Sequence, residues 1–319
     1  MRKSLFLTLF LLFGIQILQA DAHIFVYHRF GDSKHASTNT SLKTLEKQFQ
    51  YFKDEGYEVI TQKRLLKALR SGEKISDRWV VLNIDDSYKS FYQNGLPLFK
   101  KFAYPFTLYI YIQATEGHYG DFMTWDMIKD TQKYGEIGLH SYGHPHLVSL
   151  SSQAIEKDTQ KALDSFKKHL GYAPVSYAYP YGEYDPRVRK VIETFSFDLI
   201  MNQNAGAVAA FSDPHDLDRI ALTGAPNLKA KLKIRSLKTQ WHAPTVYPKD
   251  GILKTIHATI SPEIKKIEYY VSGDKWHYAK VVEGDLLIHP KLRLSKKRTR
   301  IFLKYKNRQS SKILVKGSL

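Results

Sequence analysis

The feature that most constrains the fold is a regular alternation of strand-like and helix-like segments over the first two thirds of the chain. Short apolar, β-branched runs at 23–27, 80–84 and 197–201 predict buried strands, and an amphipathic pattern at 154–170 predicts a long helix. Strands that alternate with helices at this spacing are typical of βα units around a parallel sheet or barrel. We therefore predict an α/β fold over residues 23–228.

Residues 229–319 show a different pattern. They contain about seven short β-rich runs, the first two at 231–237 and 252–260, and the sequence Ser272-Gly273-Asp274 predicts a hairpin turn between two later runs. This many short strands predicts a small all-β sandwich. Of the net charge of +17, these residues hold 22 Lys and Arg against 6 Asp and Glu, so the preceding part is nearly neutral. Such asymmetry predicts a domain boundary at residue 228 and different partners for the two parts.

Residues 1–22 predict a signal peptide. Two basic residues precede an apolar run at 5–18, and an Ala-x-Ala cleavage pattern ends at Ala22. The apolar run is short for a membrane span, and an uncleaved anchor is the alternative. The chain has no Cys, which excludes disulfides, thiolate metal sites and a lipid-anchored lipoprotein. We therefore expect an exported protein, periplasmic or extracellular, with a cleaved signal.

Candidate chemistry lies directly after the predicted strands, where parallel α/β folds place their sites. Four polar segments occupy such positions: His28, Asp85-Asp86, His140-Ser141-Tyr142-Gly143-His144 and Tyr179-Pro180-Tyr181-Gly182. Two His four apart on one helical turn point to the same side and, with a carboxylate, can bind one divalent cation that keeps a position for water. Of two neighbouring carboxylates, one can bind the metal while the other stays free as a base. The pattern predicts a metal hydrolase.

Each motif alone has a simpler explanation. A single pair of His four apart is more often a feature of a helix surface, and an Asp-Asp pair is most often a solvated turn. A Pro-Tyr-Gly run is an ordinary loop. Their order along the chain and their shared position after strands favour one common site.

The first part resembles the polysaccharide deacetylases of the NodB-homology family, carbohydrate esterases that remove N- or O-acetyl groups from sugar polymers. Residues 83–88 (N-I-D-D-S-Y) resemble the first motif of the family, residues 140–144 match the second, and residues 177–182 resemble the third. Residues 27–29 (Y-H-R) are similar to the start of the branch that deacetylates poly-N-acetylglucosamine. The resemblance covers about residues 23–228 and implies a distorted (β/α) barrel.

The resemblance also implies a role for each residue of the first two motifs. Asp85 would be the general base, and the metal ligands would be Asp86, His140 and His144. The ligand set suits Zn²⁺ first, with Co²⁺ or Ni²⁺ as alternatives. The metal would bind the acetyl carbonyl and a water molecule, and the base would deprotonate that water.

Substrate contacts are expected from the third motif and one more distant aromatic residue. The backbone N–H of Tyr181 would form part of an oxyanion hole. Tyr179, Pro180 and Trp125 would contribute to an apolar wall for the acetyl methyl group and the sugar ring. His28 is our candidate for the general acid, because it ends the first strand and faces the same mouth.

Three positions depart from the pattern of the family. Ser87 replaces the Gly of the first motif, which predicts a slightly different turn. Ala178 stands where many members carry an Arg that orients the base, which predicts that Asp85 is less constrained. The fourth and fifth motifs are not evident, and Asp198 and the stretch 217–222 are weak candidates for them.

These observations predict an exported, metal-dependent N-deacetylase of a polymer that contains N-acetylglucosamine, either an exopolysaccharide or peptidoglycan. A non-catalytic polysaccharide-binding protein and an O-acetyl esterase are the alternatives. The basic part 229–319 is expected to bind an anionic envelope polymer or a membrane surface rather than nucleic acid, or else to be structural. Its aromatic residues are either core or sugar-stacking residues: Trp241, Tyr269, Tyr270, Trp276 and Tyr278.

Overall fold

The computed structural model describes residues 20–318. Most of the predicted signal segment 1–22 therefore lies outside the described residues. Asp21 and Ala22 are described and are buried. Ala22 exchanges two backbone hydrogen bonds with Val208, and the Asp21 carboxylate accepts one from the Ser236 amide. A chain that began at His23 would lack these three hydrogen bonds.

The described residues form two groups of strands with helices around the first group. The strands of the first group, which we call the barrel, are β1 (His23–Tyr27), β2 (Arg29–Phe30), β3 (Asn39–Thr40), β4 (Glu58–Val59), β5 (Trp79–Ile84), β6 (Thr107–Ile110), β7 (Glu136–Leu139), β8 (Ser176–Ala178), β9 (Leu199–Met201) and β10 (Ile220–Ala221). The helices are α1 (Leu42–Asp54), α2 (Gln62–Ser71), α3 (Leu96–Phe102), α4 (Ile112–Glu116), α5 (Trp125–Thr131), α6 (Ser152–Leu170), α7 (Pro186–Ile192) and α8 (Leu228–Lys231). The strands of the second group, which we call the β domain, are β11 (Arg235–Ser236), β12 (Thr239–Ala243), β13 (Ile252–Leu253), β14 (Ile256–Ile260), β15 (Lys266–Val271), β16 (Trp276–Lys280), β17 (Asp285–Ile288), β18 (Leu292–Arg293), β19 (Arg298–Tyr305) and β20 (Arg308–Val315).

The barrel is a parallel sheet in the order β10-β1-β5-β6-β7-β8-β9, with β4 also paired to β5. The segment 217–221 closes it. Leu217 forms a parallel bridge with Met201 of β9, and Ile220 pairs with Phe25 of β1. Short pairings therefore close the sheet, and the result is the distorted (β/α) barrel that the sequence predicts.

Standard helix signals fix the helices around the sheet. The Ser151 side chain accepts a hydrogen bond from the Ala154 amide at the start of α6, and Gly171 ends the helix with a φ of 84°. Helix α2, which the sequence analysis did not predict, has the same two signals in Thr61 and Gly72. A hydroxyl cap and a left-handed Gly satisfy backbone groups that have no partner inside a helix.

The β domain is built from two main sheets that share one core. The five-stranded sheet has the order β11-β20-β19-β15-β16, and the three-stranded sheet has the order β12-β14-β17. Buried residues of both sheets, such as Ile256, Leu286, Ile267 and Ile301, belong to the same hydrophobic cluster. Two sheets over a common core form the predicted small sandwich.

Local differences from the prediction occur at the start of the second part. Residues 231–237 were expected to form a strand, but the Asn227 side chain caps the short helix α8 and only Arg235–Ser236 is extended. The run 252–260 is divided into β13 and β14. The barrel core extends to Leu232, and the core of the β domain begins at Leu237.

Within residues 20–318, no helix combines the length and the apolar character that a membrane crossing requires.

Candidate active site

Three of the predicted site residues come together at the carboxyl ends of the barrel strands. Asp86 follows β5, and His140 and His144 follow β7. One potential ligand atom from each of the three lies within 4.8 Å of the others. We call Asp86, His140 and His144 the triad.

The polar atoms of the triad converge on one point. Asp86 Oδ1 lies 3.1 Å from His144 Nε2 and 3.4 Å from His140 Nε2. His140 Nδ1 donates to the carbonyl of Ala178 at 2.7 Å, so its Nε2 carries the lone pair. Asp86 Oδ1 is buried and has no hydrogen-bond partner among the described residues. Two imidazole nitrogens and a carboxylate oxygen in this position fit a divalent cation.

The loop after β7 brings the two histidines together, and it is not the helical turn that the sequence analysis expected. Ser141 and His144 have φ values of 64° and 50°, which no α-helix allows. Asp158 of α6 accepts hydrogen bonds from the amides of Tyr142 and Gly143, and the His144 amide donates to Ser141 Oγ. The shape of this loop therefore depends on a carboxylate from a neighbouring helix.

Left-handed backbone conformations at non-glycine residues are concentrated at this site. Five such residues belong to the three motifs: Asp86, Ser87, Ser141, His144 and Tyr181. Ser87 has a φ of 56°, a conformation that Gly reaches easily. Ser87 can therefore take the place of the Gly of the first motif in this turn, at a cost of about 1 kcal/mol. Strain of this kind persists where the surrounding structure holds the backbone in place.

A buried ion pair holds the predicted base. Arg219 donates two hydrogen bonds of 2.8 Å, one to each oxygen of Asp85, and its Nε donates to the carbonyl of Asn202. Neither side chain is exposed to solvent. Arg219 lies in the segment that closes the barrel, so the Arg that Ala178 replaces in the third motif is supplied from elsewhere. The expectation that Asp85 is less constrained is wrong.

The same ion pair decides the protonation state of Asp85. Burial alone would raise the pKa of this carboxyl group, but the charge and hydrogen bonds of Arg219 outweigh burial, and the pKa lies below its usual value. Asp85 is therefore ionised at neutral pH. One of its oxygens, Oδ2, lies 3.9 Å from Nε2 of His140, which places the carboxylate beside the triad.

The loop after β8 places Tyr181 at the edge of the triad. Tyr181 has a φ of 58°, and its ring lies 4.5 Å from the ring of His144 and stacks on that of His146 at 4.1 Å. The turn is held by hydrogen bonds from the amides of Gly182 and Glu183. The Tyr181 side chain is 40% exposed. It can therefore contact a substrate above the triad.

Two of the aromatic residues predicted for the substrate wall lie elsewhere. Tyr179 is completely buried and stacks on Tyr184 at 5.0 Å, so its ring has no surface for a sugar. Trp125 stacks on His169 of α6 at 4.2 Å, and no ring contact or hydrogen bond in the described residues joins it to the triad. Pro180 is buried in the turn below Tyr181. The structure thus leaves Tyr181 as the exposed aromatic residue of the third motif.

His28 lies close to the two aspartates, as predicted for a group at the end of β1. Electrostatic interaction with His28 contributes to lowering the pKa of both Asp85 and Asp86. The side chain is half-buried, and its Nδ1 has no hydrogen-bond partner in residues 20–318.

A contact from the β domain supports the Tyr181 loop, and the sequence analysis did not foresee it. Arg298 of β19 donates hydrogen bonds to Glu183 Oε1 at 2.8 Å and to the carbonyl of Tyr181 at 2.7 Å. The second oxygen of Glu183, which is buried, binds His146 Nδ1 at 2.7 Å. Arg298 belongs to the basic part 229–319, which the sequence analysis interpreted as a surface for anions. That interpretation did not include a contact with the barrel.

We expect the triad to take up one divalent cation per chain. The variant His144→Ala should lose the bound ion, because only two of three ligands remain. His146→Ala is the matched control, since its imidazole binds Glu183 and not the triad. The measurement is metal content after dialysis against zinc or cobalt. Full metal content in His144→Ala would show that the triad is not the binding site.

We expect the Asp85–Arg219 pair to dominate the stability of the site. Arg219→Met leaves an unpaired buried carboxylate and should lower the free energy of unfolding by about 3–5 kcal/mol. The double variant Asp85→Leu/Arg219→Met should recover most of this loss, because no buried charge remains. Arg70→Met, which removes an exposed ion pair with Asp198, should cost less than about 1 kcal/mol. Denaturant unfolding checks this order, and equal losses in Arg219→Met and Arg70→Met would contradict it.

Comparison with known proteins finds a family and several relatives that are similar to this chain. Residues 72–200 match the family model described as polysaccharide deacetylase. A poly-β-1,6-N-acetyl-D-glucosamine N-deacetylase of Staphylococcus aureus is 26% identical over 216 residues, which cover 62% of this chain and 73% of that protein. A protein of the same name from Escherichia coli is 20% identical over 245 residues, but the match spans only 35% of its length.

The fold is similar to that of a deacetylase of known structure. The Streptococcus pyogenes deacetylase PplD in complex with acetate superimposes with a TM-score of 0.62 at 23% identity, over 67% of this chain and 99% of that chain. At this identity the likeness concerns the fold alone. Together, the family model over residues 72–200 and the barrel fold confirm the predicted resemblance to the polysaccharide deacetylase family.

Proposed function

We propose that this protein is an exported, metal-dependent N-deacetylase of a polysaccharide that contains N-acetylglucosamine. The observation that carries the proposal is the position of an ionised base, Asp85, directly beside the triad in one buried site. The names of the Staphylococcus aureus and Escherichia coli relatives support N-acetylglucosamine as the sugar. An intact base and triad argue against the alternative of a protein that only binds polysaccharide.

The donor set of the triad suits zinc, with cobalt or nickel as alternatives. A divalent ion held by Asp86, His140 and His144 would supply Lewis-acid polarisation of the acetyl carbonyl and would lower the pKa of water. The hydrogen bond from His140 Nδ1 to the carbonyl of Ala178 fixes the tautomer that such binding requires.

Asp85 is the group that accepts the proton of the attacking water in this proposal. Arg219 occupies one lone pair of each carboxylate oxygen, and the remaining lone pairs are available for the water. The bidentate hydrogen bonds prevent rotation of the carboxylate, so the proton acceptor keeps one orientation relative to the triad.

Tyr181 and His28 complete the proposed reaction. The backbone N–H of Tyr181 is aimed by the left-handed conformation of that residue and would donate to the oxyanion that forms on the acetyl carbon. His28, at the end of β1, is the candidate that would protonate the leaving amine. Its unpartnered Nδ1 is consistent with such a role.

Export and envelope attachment belong to the same proposal. The apolar segment 5–18 after two basic residues supports a signal peptide. The β domain carries most of the net charge of +17, which supports attraction to an anionic envelope polymer or membrane surface.

Acetate release by the purified protein tests the activity. Metal is first removed and then restored with zinc or cobalt, and the substrates are N-acetylglucosamine oligomers, peptidoglycan and an O-acetylated polymer. We expect metal-dependent release from an N-acetylated substrate that is lost in Asp85→Asn and reduced in His28→Ala. Unchanged turnover in His28→Ala would remove that residue from the mechanism. If metal is bound but no substrate releases acetate, the protein is a polysaccharide-binding protein instead.

We expect the contact from the β domain to matter for turnover. Arg298→Ala removes both hydrogen bonds that hold Glu183 and the Tyr181 carbonyl, so the oxyanion donor loses its support. The variant should lower kcat about tenfold with little change in KM. This loss is smaller than the roughly 10²–10³-fold loss of kcat, about 3 kcal/mol, that follows removal of an oxyanion donor itself. Lys297→Ala removes the same charge from the neighbouring residue and should have no comparable effect. Equal kcat values for both variants would show that the loop does not need this contact.

A further inference from the structure

The outer surface of the five-stranded sheet carries a group of aromatic side chains. Strand alternation turns Tyr269 and Val271 of β15 into the core and leaves Tyr270 on the opposite face. Tyr270 lies opposite Trp276 of β16 and opposite Phe302 of β19. We call Tyr270, Trp276, Tyr278 and Phe302 the aromatic face.

The aromatic face is open to solvent at Trp276 and Tyr278, and three of its four rings contact one another. Trp276 is 47% exposed and Tyr278 is 64% exposed. Ring centroids lie 5.3 Å apart for Tyr270 and Trp276, 6.1 Å for Tyr270 and Phe302, and 6.5 Å for Trp276 and Phe302. Exposed groups of aromatic side chains mark interaction sites, because their exposure to water does not stabilise the folded protein.

Positive charge surrounds these rings. The ammonium group of Lys266 lies 4.1 Å from the centre of the Tyr278 ring, and that of Lys304 lies 5.7 Å from the Trp276 ring. Lys280 follows Tyr278 on the same side of β16. The acidic residue Glu268 occupies a neighbouring position of β15, so lysines outnumber carboxylates on this face.

Strand β19 connects the aromatic face to the candidate active site. Residues 298, 300, 302 and 304 share one side of the strand. Arg298 binds the Tyr181 carbonyl, and Arg300 donates to the carbonyl of Gln203. Phe302 is four residues from Arg298, which corresponds to about 13 Å along the strand.

The barrel contacts this side of the sheet through β20, which neighbours β19 on the side away from β15. Ser311, which lies opposite Phe302 on β20, accepts a hydrogen bond from the amide of Ala205 in the barrel, and Gln309 donates one to the carbonyl of Ala205. On β15 and β16, Tyr270 is partly exposed, and Trp276 and Tyr278 are exposed. The aromatic face therefore lies on the strands away from β20, on the same side of the sheet as the contact with the Tyr181 loop.

We propose that the aromatic face binds the polysaccharide chain beyond the sugar that carries the reacting acetyl group, an inference that rests on the proposed function. The CH faces of a pyranose ring are apolar and fit a planar aromatic side chain, while its hydroxyl edge suits the surrounding ammonium groups. Phe302 lies about 13 Å along β19 from Arg298, the residue that contacts the Tyr181 loop, so several sugar units separate the face from the reacting sugar. Because the lysines repel amino groups, the face selects acetylated or anionic stretches of polymer over those already deacetylated.

The test compares long and short substrates in the holoenzyme. The double variant Trp276→Ala/Tyr278→Ala should lower kcat/KM for an N-acetylglucosamine hexamer about tenfold. The dimer, which is too short to reach the face, should be processed at the unchanged rate. Tyr134→Ala is the matched control, because Tyr134 is an exposed Tyr of the barrel with the ammonium of Lys100 also 4.1 Å from its ring.

Equilibrium binding of the hexamer by the metal-stripped protein, measured by calorimetry, gives a readout that is independent of turnover. Loss of about tenfold in affinity in the double variant, with none in Tyr134→Ala, supports the proposal. Unchanged binding in the double variant, an equal loss in the control, or no binding by the parent protein overturns it. If binding depends on the aromatic face but neither oligomer releases acetate, the proposed catalytic function is wrong and the binding site stands.

Discussion

The buried ion pair between Asp85 and Arg219 is the interaction on which the rest of the site depends. It links β5 to the short segment that closes the barrel, where few backbone pairings are available. Two buried charges are tolerable only while they remain together, so the pair specifies both the closure of the sheet and the direction of the base. The position of the triad also depends on this ion pair, because Asp86 directly follows Asp85 in the chain.

The fold and most of the site could be predicted from the sequence because they depend on local patterns. Apolar β-branched runs marked the strands, and polar residues immediately after them marked the common edge. Arg219 could not be found in this way, since it lies 134 residues from Asp85 and its role appears only when the barrel closes. The conformation of the loop that carries His144 was also missed, because it depends on Asp158 from a helix later in the chain.

Burial explains the other differences from the sequence prediction. An aromatic residue after a strand can turn either toward the mouth or into the core, and its sequence position does not separate these outcomes. Tyr179 is buried and Tyr181 is exposed because residues 180–182 form a turn, in which the alternation of a strand no longer places the two rings on the same side. In the β domain, the sequence also did not decide whether Trp276 and Tyr278 are core residues or surface residues. The structure places both on the surface.

The hydrogen bonds from Arg298 to Glu183 and Tyr181 have a consequence for how this architecture can change. Because a side chain of the β domain holds the loop that carries Tyr181, the barrel is not a self-sufficient module. Recombination that exchanged the β domain for another domain would have to supply an equivalent guanidinium at the same place. The boundary between the two parts in the sequence is therefore not a boundary in the structure of the site.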